Sequence, residues 1–288
     1  MSGVSTPRAA LRIVRDVAVF RLRRLEMANL AGAAAVAAAV GLPGPEIAGR
    51  LGFGALLNLL VYLNNDYMDV DADLASTTRA PAMTRFLAEH RGAAALAQVG
   101  LLGLLVVIAG LWRPSLLVPL IAGGGICWAY SARLKRLPGL DVAAMVAWGV
   151  AMSLVGAPLA EPLAWALVLQ LGLFSGVFEA IQVLRDRQED AAAGVRTTAV
   201  ALGERRTQGL IRGLLAASGL YACLVIHPAA GAPALLAMAL PLEVRAIPRY
   251  WTQVRAALGL TLLGEAGFVA IYGETAGLLL RVGRGVVG

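Results

Sequence analysis

The residues with the clearest chemical content lie in two acidic stretches. The first, NNDYMDVDAD at 64–73, carries Asp66, Asp69, Asp71 and Asp73 directly after the apolar run LGFGALLNLLVYL. The second, FEAIQVLRDRQED at 178–190, carries Glu179, Asp186, Glu189 and Asp190 at the end of another apolar run. If each stretch continues a helix, a step of 100° per residue puts Asp66, Asp69 and Asp73 within an arc of about 60°. Asn65 then lies beside them, and Asp71 points about 140° away from Asp66. On the same construction Glu179, Gln182, Asp186, Glu189 and Asp190 share an arc of about 100°. Carboxylates one turn apart repel each other unless a cation sits among them. One such stripe could be a solvated helix end. Two of them, with Glu179 set deep enough that its charge would be costly against lipid, call for a polar interior.

Hard oxygen donors without His or Cys select Mg²⁺, which keeps several waters and is usually shared between carboxylates and substrate phosphates. Two facing stripes would therefore clamp a metal-bound diphosphate. The basic groups placed to complete it are Arg79, Lys135 and Arg136 in YSARLKRLPG, and Arg196 in GVRTT, although each also suits a charge anchor at a membrane face. Other chemistries lack their residues. There is no phosphate-binding glycine loop and no GxSxG elbow. Cys127 and Cys223 sit in apolar runs without zinc spacing, and His90 and His227 read as interfacial residues.

The elements that must hold these groups follow from composition. The 288 residues are 59% hydrophobic and 15% charged, with a mean hydropathy of +0.73, against roughly 25% charged residues in a soluble domain. The chain reads as an all-α integral membrane protein, because long apolar runs without alternation satisfy their backbone in a bilayer only as helices. Nine apolar segments are expected, near 27–43, 50–65, 92–111, 115–130, 140–159, 162–184, 208–226, 230–247 and 256–280. They give a segment at 1–26 followed by one transmembrane domain at 27–288. A cleaved signal peptide around AGAAAVAAAV is the alternative for the first, but such apolar cores are shorter and nearer the start.

Under this division every Lys and Arg except Arg50, Arg113, Arg281 and Arg284 falls on one side. The positive-inside rule makes that side cytoplasmic, together with the N-terminus and both acidic stretches. The net charge of +7 is then topological and needs no nucleic acid. Gly and Ala inside helices, as in LIAGGGIC, suit close helix packing.

These residues resemble the UbiA superfamily of intramembrane prenyltransferases. Its first motif, NDxxDxxxD, matches Asn65, Asp66, Asp69 and Asp73, and its second, DxxxD, matches Asp186 and Asp190. The continuation to GVRTTAVALG at 194–203 and the stretch from Tyr130 to Arg136 are also similar to the family's. The resemblance implies about nine transmembrane helices around a central cavity, Mg²⁺ held by Asn65, Asp66, Asp69, Asp73, Asp186 and Asp190, and catalysis by Asp69, Asp73, Asp186 and Asp190. It implies an isoprenyl diphosphate bound by Asn65, Arg79, Lys135, Arg136 and Arg196, with transfer to a lipophilic, often aromatic acceptor. One departure stands out: Ala80 separates Arg79 from Pro81, where the family often has an Arg-Pro pair. A terpene cyclase of the same superfamily keeps the fold and changes the product. An ion or substrate transporter is disfavoured, because the acids cluster at one membrane face instead of the midplane.

Overall fold

The computed structural model describes residues 6–24, 26–75 and 81–273. Twelve α-helices are formed by them: α1 (Thr6–Arg23), α2 (Asn29–Ala39), α3 (Gly44–Ala75), α4 (Pro81–Glu89), α5 (Arg91–Trp112), α6 (Leu117–Ala132), α7 (Leu140–Ser153), α8 (Pro162–Ala192), α9 (Thr198–Leu202), α10 (Glu204–Tyr221), α11 (Ala232–Ala237) and α12 (Ile247–Tyr272). Among the described residues, six segments are long and apolar enough to cross a membrane: Gly44–Asp71, Arg91–Trp112, Pro114–Ala132, Pro162–Ala192, Glu204–Ile226 and Val244–Tyr272. α5 turns Leu96, Val99, Leu102, Leu104, Val106, Val107 and Leu111 outward, an apolar surface suited to lipid.

Among the described residues the expected nine spans are not confirmed, and the last expected segment, 256–280, runs past residue 273 to residues outside those described. α2 and α7 are apolar but shorter, and residues 230–247 hold the six-residue α11, a 3-10 turn at Val244–Ala246 and the first residue of α12. Pro228 and Pro241 bracket α11, each lacking a backbone donor, and Pro241 disfavours helix in the residue before it, while Pro233 stands in the first turn of α11, where no donor is lost. Helix α1 was not expected either. Its Ala9, Ile13, Val17 and Arg21 form a buried stripe at every fourth position, packed against α3 and α5.

Neighbouring helices close a ring in the order α2, α3, α6, α7, α8, α10, α11, α12 and back to α2. The α7–α8 seam is tight because a Cβ at Gly149 would stand 2.5 Å from the Cβ of Ser175 and 2.8 Å from the Leu171 carbonyl. At one end of the ring, Arg50 donates to the Val155 carbonyl (3.0 Å) and pairs with Glu46, which also receives Arg113 (2.9 Å). These bonds satisfy carbonyls just past α7 and fix the start of α3. α2 covers α3 only as far as Asn58, whose Oδ1 accepts from Asn29 Nδ2 (3.0 Å). Asn65 lies about two turns further on, so the opposite end of the ring is left to the acidic stretches.

Candidate active site

Both acidic stretches are helical, as their spacing requires. α3 has 32 residues and α8 has 31. At 1.5 Å per residue each extends more than about 45 Å, well past a hydrocarbon core of about 30 Å, so the last turns carry their charges out of it. α8 stops at a Schellman motif. Gly194 takes φ +71°, a conformation that needs no Cβ, while Val195 N–H donates to the Asp190 carbonyl (2.8 Å) and Gly194 N–H to that of Ala191 (3.2 Å). The reversal brings Thr197 back, and its hydroxyl donates to Asp190 Oδ2 (3.2 Å).

The first stretch divides its acids between two neighbours. Asp69 Oδ1 receives the Lys135 ammonium from the turn after α6, and Asp69 Oδ2 accepts from Asn65 Nδ2 (3.1 Å). Asn65 Nδ2 also reaches Ser131 Oγ on α6 (3.3 Å). Asp66 and Asp73 instead line a water-sized cavity among α1, α3 and α4, with Phe20, Arg21 and Val70. There the Arg21 guanidinium donates to Asp66. Burial alone would lower the Arg21 pKa, but Asp66 and Glu26 outweigh it and hold the guanidinium above its ordinary value. Asp71 points away, exposed at 77%, and pairs with Arg91.

On α8, Glu179 is buried and accepts from the Tyr130 hydroxyl (2.8 Å), tying α6 to α8. Asp186 is half-buried and held by its neighbour Arg185 (2.7 and 2.8 Å). Arg136 and Arg196 are exposed and form no ion pair among the described residues. Arg79 lies outside the described residues. Contacts from Asp69 and Asn65 to the α6 end, from Tyr130 to Glu179, and from Thr197 to Asp190 thus gather both motifs at one end of the ring.

Residues 27–259 match the UbiA prenyltransferase family. The chain belongs to that family. It is 26% identical over 147 residues to a 4-hydroxybenzoate octaprenyltransferase of Saccharophagus degradans, a stretch that covers 49% of this chain and 48% of the relative. It is 26% identical over 169 residues to one of Alkalilimnicola ehrlichii, covering 56% and 57%. The matched stretches thus span about half the length of these relatives. Its fold is that of a UbiA homolog from Archaeoglobus fulgidus bound to GPP and Mg²⁺, with a TM-score of 0.60 at 18% identity over 97% of this chain and 95% of that one. The DMAPP and Mg²⁺ complex of that homolog gives 0.59 at 18% identity over 88% and 86%.

Among the described residues, no three His, Cys, Asp or Glu side chains stand close enough to hold a metal ion by themselves. The donor chemistry in this UbiA family chain still suits Mg²⁺. Every candidate ligand offers oxygen, which fits an ion that keeps waters and takes phosphate oxygens. Asp69 and Asp186 already hold protein cations, Lys135 and Arg185. Two buried charged residues near these motifs belong to neither of them. Arg21 looked like one of many basic anchors, although its four-residue spacing from Ala9, Ile13 and Val17 marks a buried stripe. Asp141, fully buried at the start of α7, carried no motif.

Proposed function

We propose that this protein is a Mg²⁺-dependent intramembrane prenyltransferase. It moves the prenyl group of an isoprenyl diphosphate onto a lipophilic aromatic acceptor and releases diphosphate. The observation that carries the reading is the Lys135–Asp69 pair: it brings the first acidic motif and a basic turn together at the end of the ring where Asp190 and Thr197 also lie. The names of the relatives, which act on 4-hydroxybenzoate, support an aromatic acceptor.

Asn65, Asp69, Asp186 and Asp190 would hold the metal, with Asp66 and Asp73 supporting from the Arg21 side. When bound, Mg²⁺ supplies charge neutralisation for the diphosphate. Lys135, Arg136 and Arg196 bind the same group electrostatically and favour its departure. The bond between the allylic carbon and the diphosphate oxygen breaks with its electron pair on oxygen. The carbon that gains cationic character is attacked by an aromatic carbon, which then loses its proton. An apolar ring of helices keeps water from that carbon. The positive-inside asymmetry supports a cytoplasmic location for this end of the ring.

Purified protein incubated with Mg²⁺, geranyl diphosphate and 4-hydroxybenzoate should yield a prenylated acid by mass spectrometry. A hydrocarbon or alcohol made equally well without acceptor would favour cyclisation instead, and no turnover with any chain length would refute the reading.

A further inference from the structure

Asp141 sits at the start of α7, fully buried, six residues after Lys135 and outside both acidic motifs. Its carboxylate is saturated by protein donors. Oδ2 accepts from the Thr198 backbone N–H (2.6 Å), while Oδ1 accepts from the Thr198 hydroxyl and from Val142 N–H (2.9 Å). Gly139 N–H donates to the Thr198 hydroxyl oxygen (2.6 Å). A buried carboxylate with this many donors is held in one geometry, and it holds its partners in turn.

Two chain segments meet in this knot, and each leads to one motif. From Asp141 back to Lys135 the chain is a run of tight turns, with Asp141 N–H and Leu140 N–H on the Leu137 carbonyl (3.2 and 3.0 Å) and Leu137 N–H on that of Leu134 (3.0 Å). Lys135 then reaches Asp69. From Thr198 the adjacent Thr197 reaches Asp190. The two motifs, on α3 and α8, are thereby joined by a continuous path: Asp69, Lys135, Asp141, Thr198, Thr197, Asp190. α3 and α8 are not neighbours in the ring, since α6 and α7 stand between them.

Resting on the active-site reading above, we propose that Asp141 is a positioning residue for prenyl transfer: by gripping Thr198 it sets the spacing between the Lys135 turn and the Asp190–Thr197 turn. It touches no substrate and needs no metal. Its effect should therefore appear first in how tightly a diphosphate is bound across the two motifs, because a displacement of about 1 Å in a positioning group can cost about a hundredfold.

The test uses full-length protein and geranyl S-thiolodiphosphate, an unreactive donor analogue, titrated in the presence of Mg²⁺. The variants are Asp141→Ala, Asp141→Asn and Thr198→Val, with Lys135→Ala as control. Asp141→Ala should weaken binding at least tenfold. Asp141→Asn, which keeps the volume and an acceptor, should fall between it and wild type, and Thr198→Val should weaken binding several-fold. With spin labels at Pro138→Cys and Ala193→Cys, both exposed, the narrow distance distribution of the parent should broaden in all three variants. Wild-type affinity and an unbroadened distribution in Asp141→Asn and Thr198→Val would overturn the proposal even if Asp141→Ala fails to fold. Unchanged binding in Lys135→Ala would instead overturn the active-site reading on which it rests.

Discussion

Lys135 is bonded to Asp69 across two elements that the sequence separates by 66 positions. The pair joins the acidic end of α3 to the turn after α6, and it places a cation where two candidate metal ligands, Asn65 and Asp69, meet. The side chains keep 19% and 15% of their exposure. The pair is mostly but not fully buried, so losing it should cost about 1–3 kcal/mol of stability, between an exposed pair and a fully buried one. Lys135→Met should therefore reduce prenyl transfer by ten- to a hundredfold while the melting temperature falls by a few degrees. Equal losses of activity and folded protein would show that the pair is structural.

Asp71 provides the internal control. It shares α3 with Asp69 but is exposed and paired with Arg91. Asp71→Ala should keep at least half of the wild-type turnover under conditions where Asp69→Ala keeps less than a hundredth. If the two variants are equally impaired, the helical-face assignment fails.

Arg21 and Asp66 form a buried pair, and removing one partner takes a directly bonded counter-charge from the other. Arg21→Ala should destabilise the protein by about 3–5 kcal/mol, whereas replacing both residues, as Arg21→Met with Asp66→Leu, should recover much of that loss. Thermal unfolding in detergent measures both. A double variant no better than Arg21→Ala would mean that Asp66 has no part in the penalty.

Glu265 on α12 is fully buried, and among the described residues neither of its carboxyl oxygens has a hydrogen-bond partner. Leaving such a group unsatisfied is costly, so the nearly isosteric apolar change Glu265→Met should raise the melting temperature. A lower melting temperature would reveal a partner that stabilises the carboxyl.

Much of this arrangement is legible in the sequence, for a definite reason. The apolar runs and the acids that follow them obey one helical period, so the continuity of α3 and α8 and the outward turn of Asp71 follow from spacing alone. Arg21, by contrast, is hidden by its company: RLRRLE reads as a membrane anchor, and only the burial of the fourth-residue stripe singles it out. Asp141 and Thr198 meet across 57 positions, a long-range contact that no local period encodes. The segment at 230–247 misled because its apolar composition suited a span while its prolines forbade one.

On this reading the two motifs act as one site on one diphosphate. The most direct test is the affinity of geranyl S-thiolodiphosphate, with Mg²⁺ and with chelator, for wild type, Asp69→Ala, Asp190→Ala and the double variant. Groups that act as a unit are strongly non-additive. Each single change should therefore abolish most of the Mg²⁺-dependent affinity, the double should be little worse than either, and chelator should reduce wild type to the same level. Additive losses, or wild-type binding that survives chelation, would contradict a shared metal-dependent site.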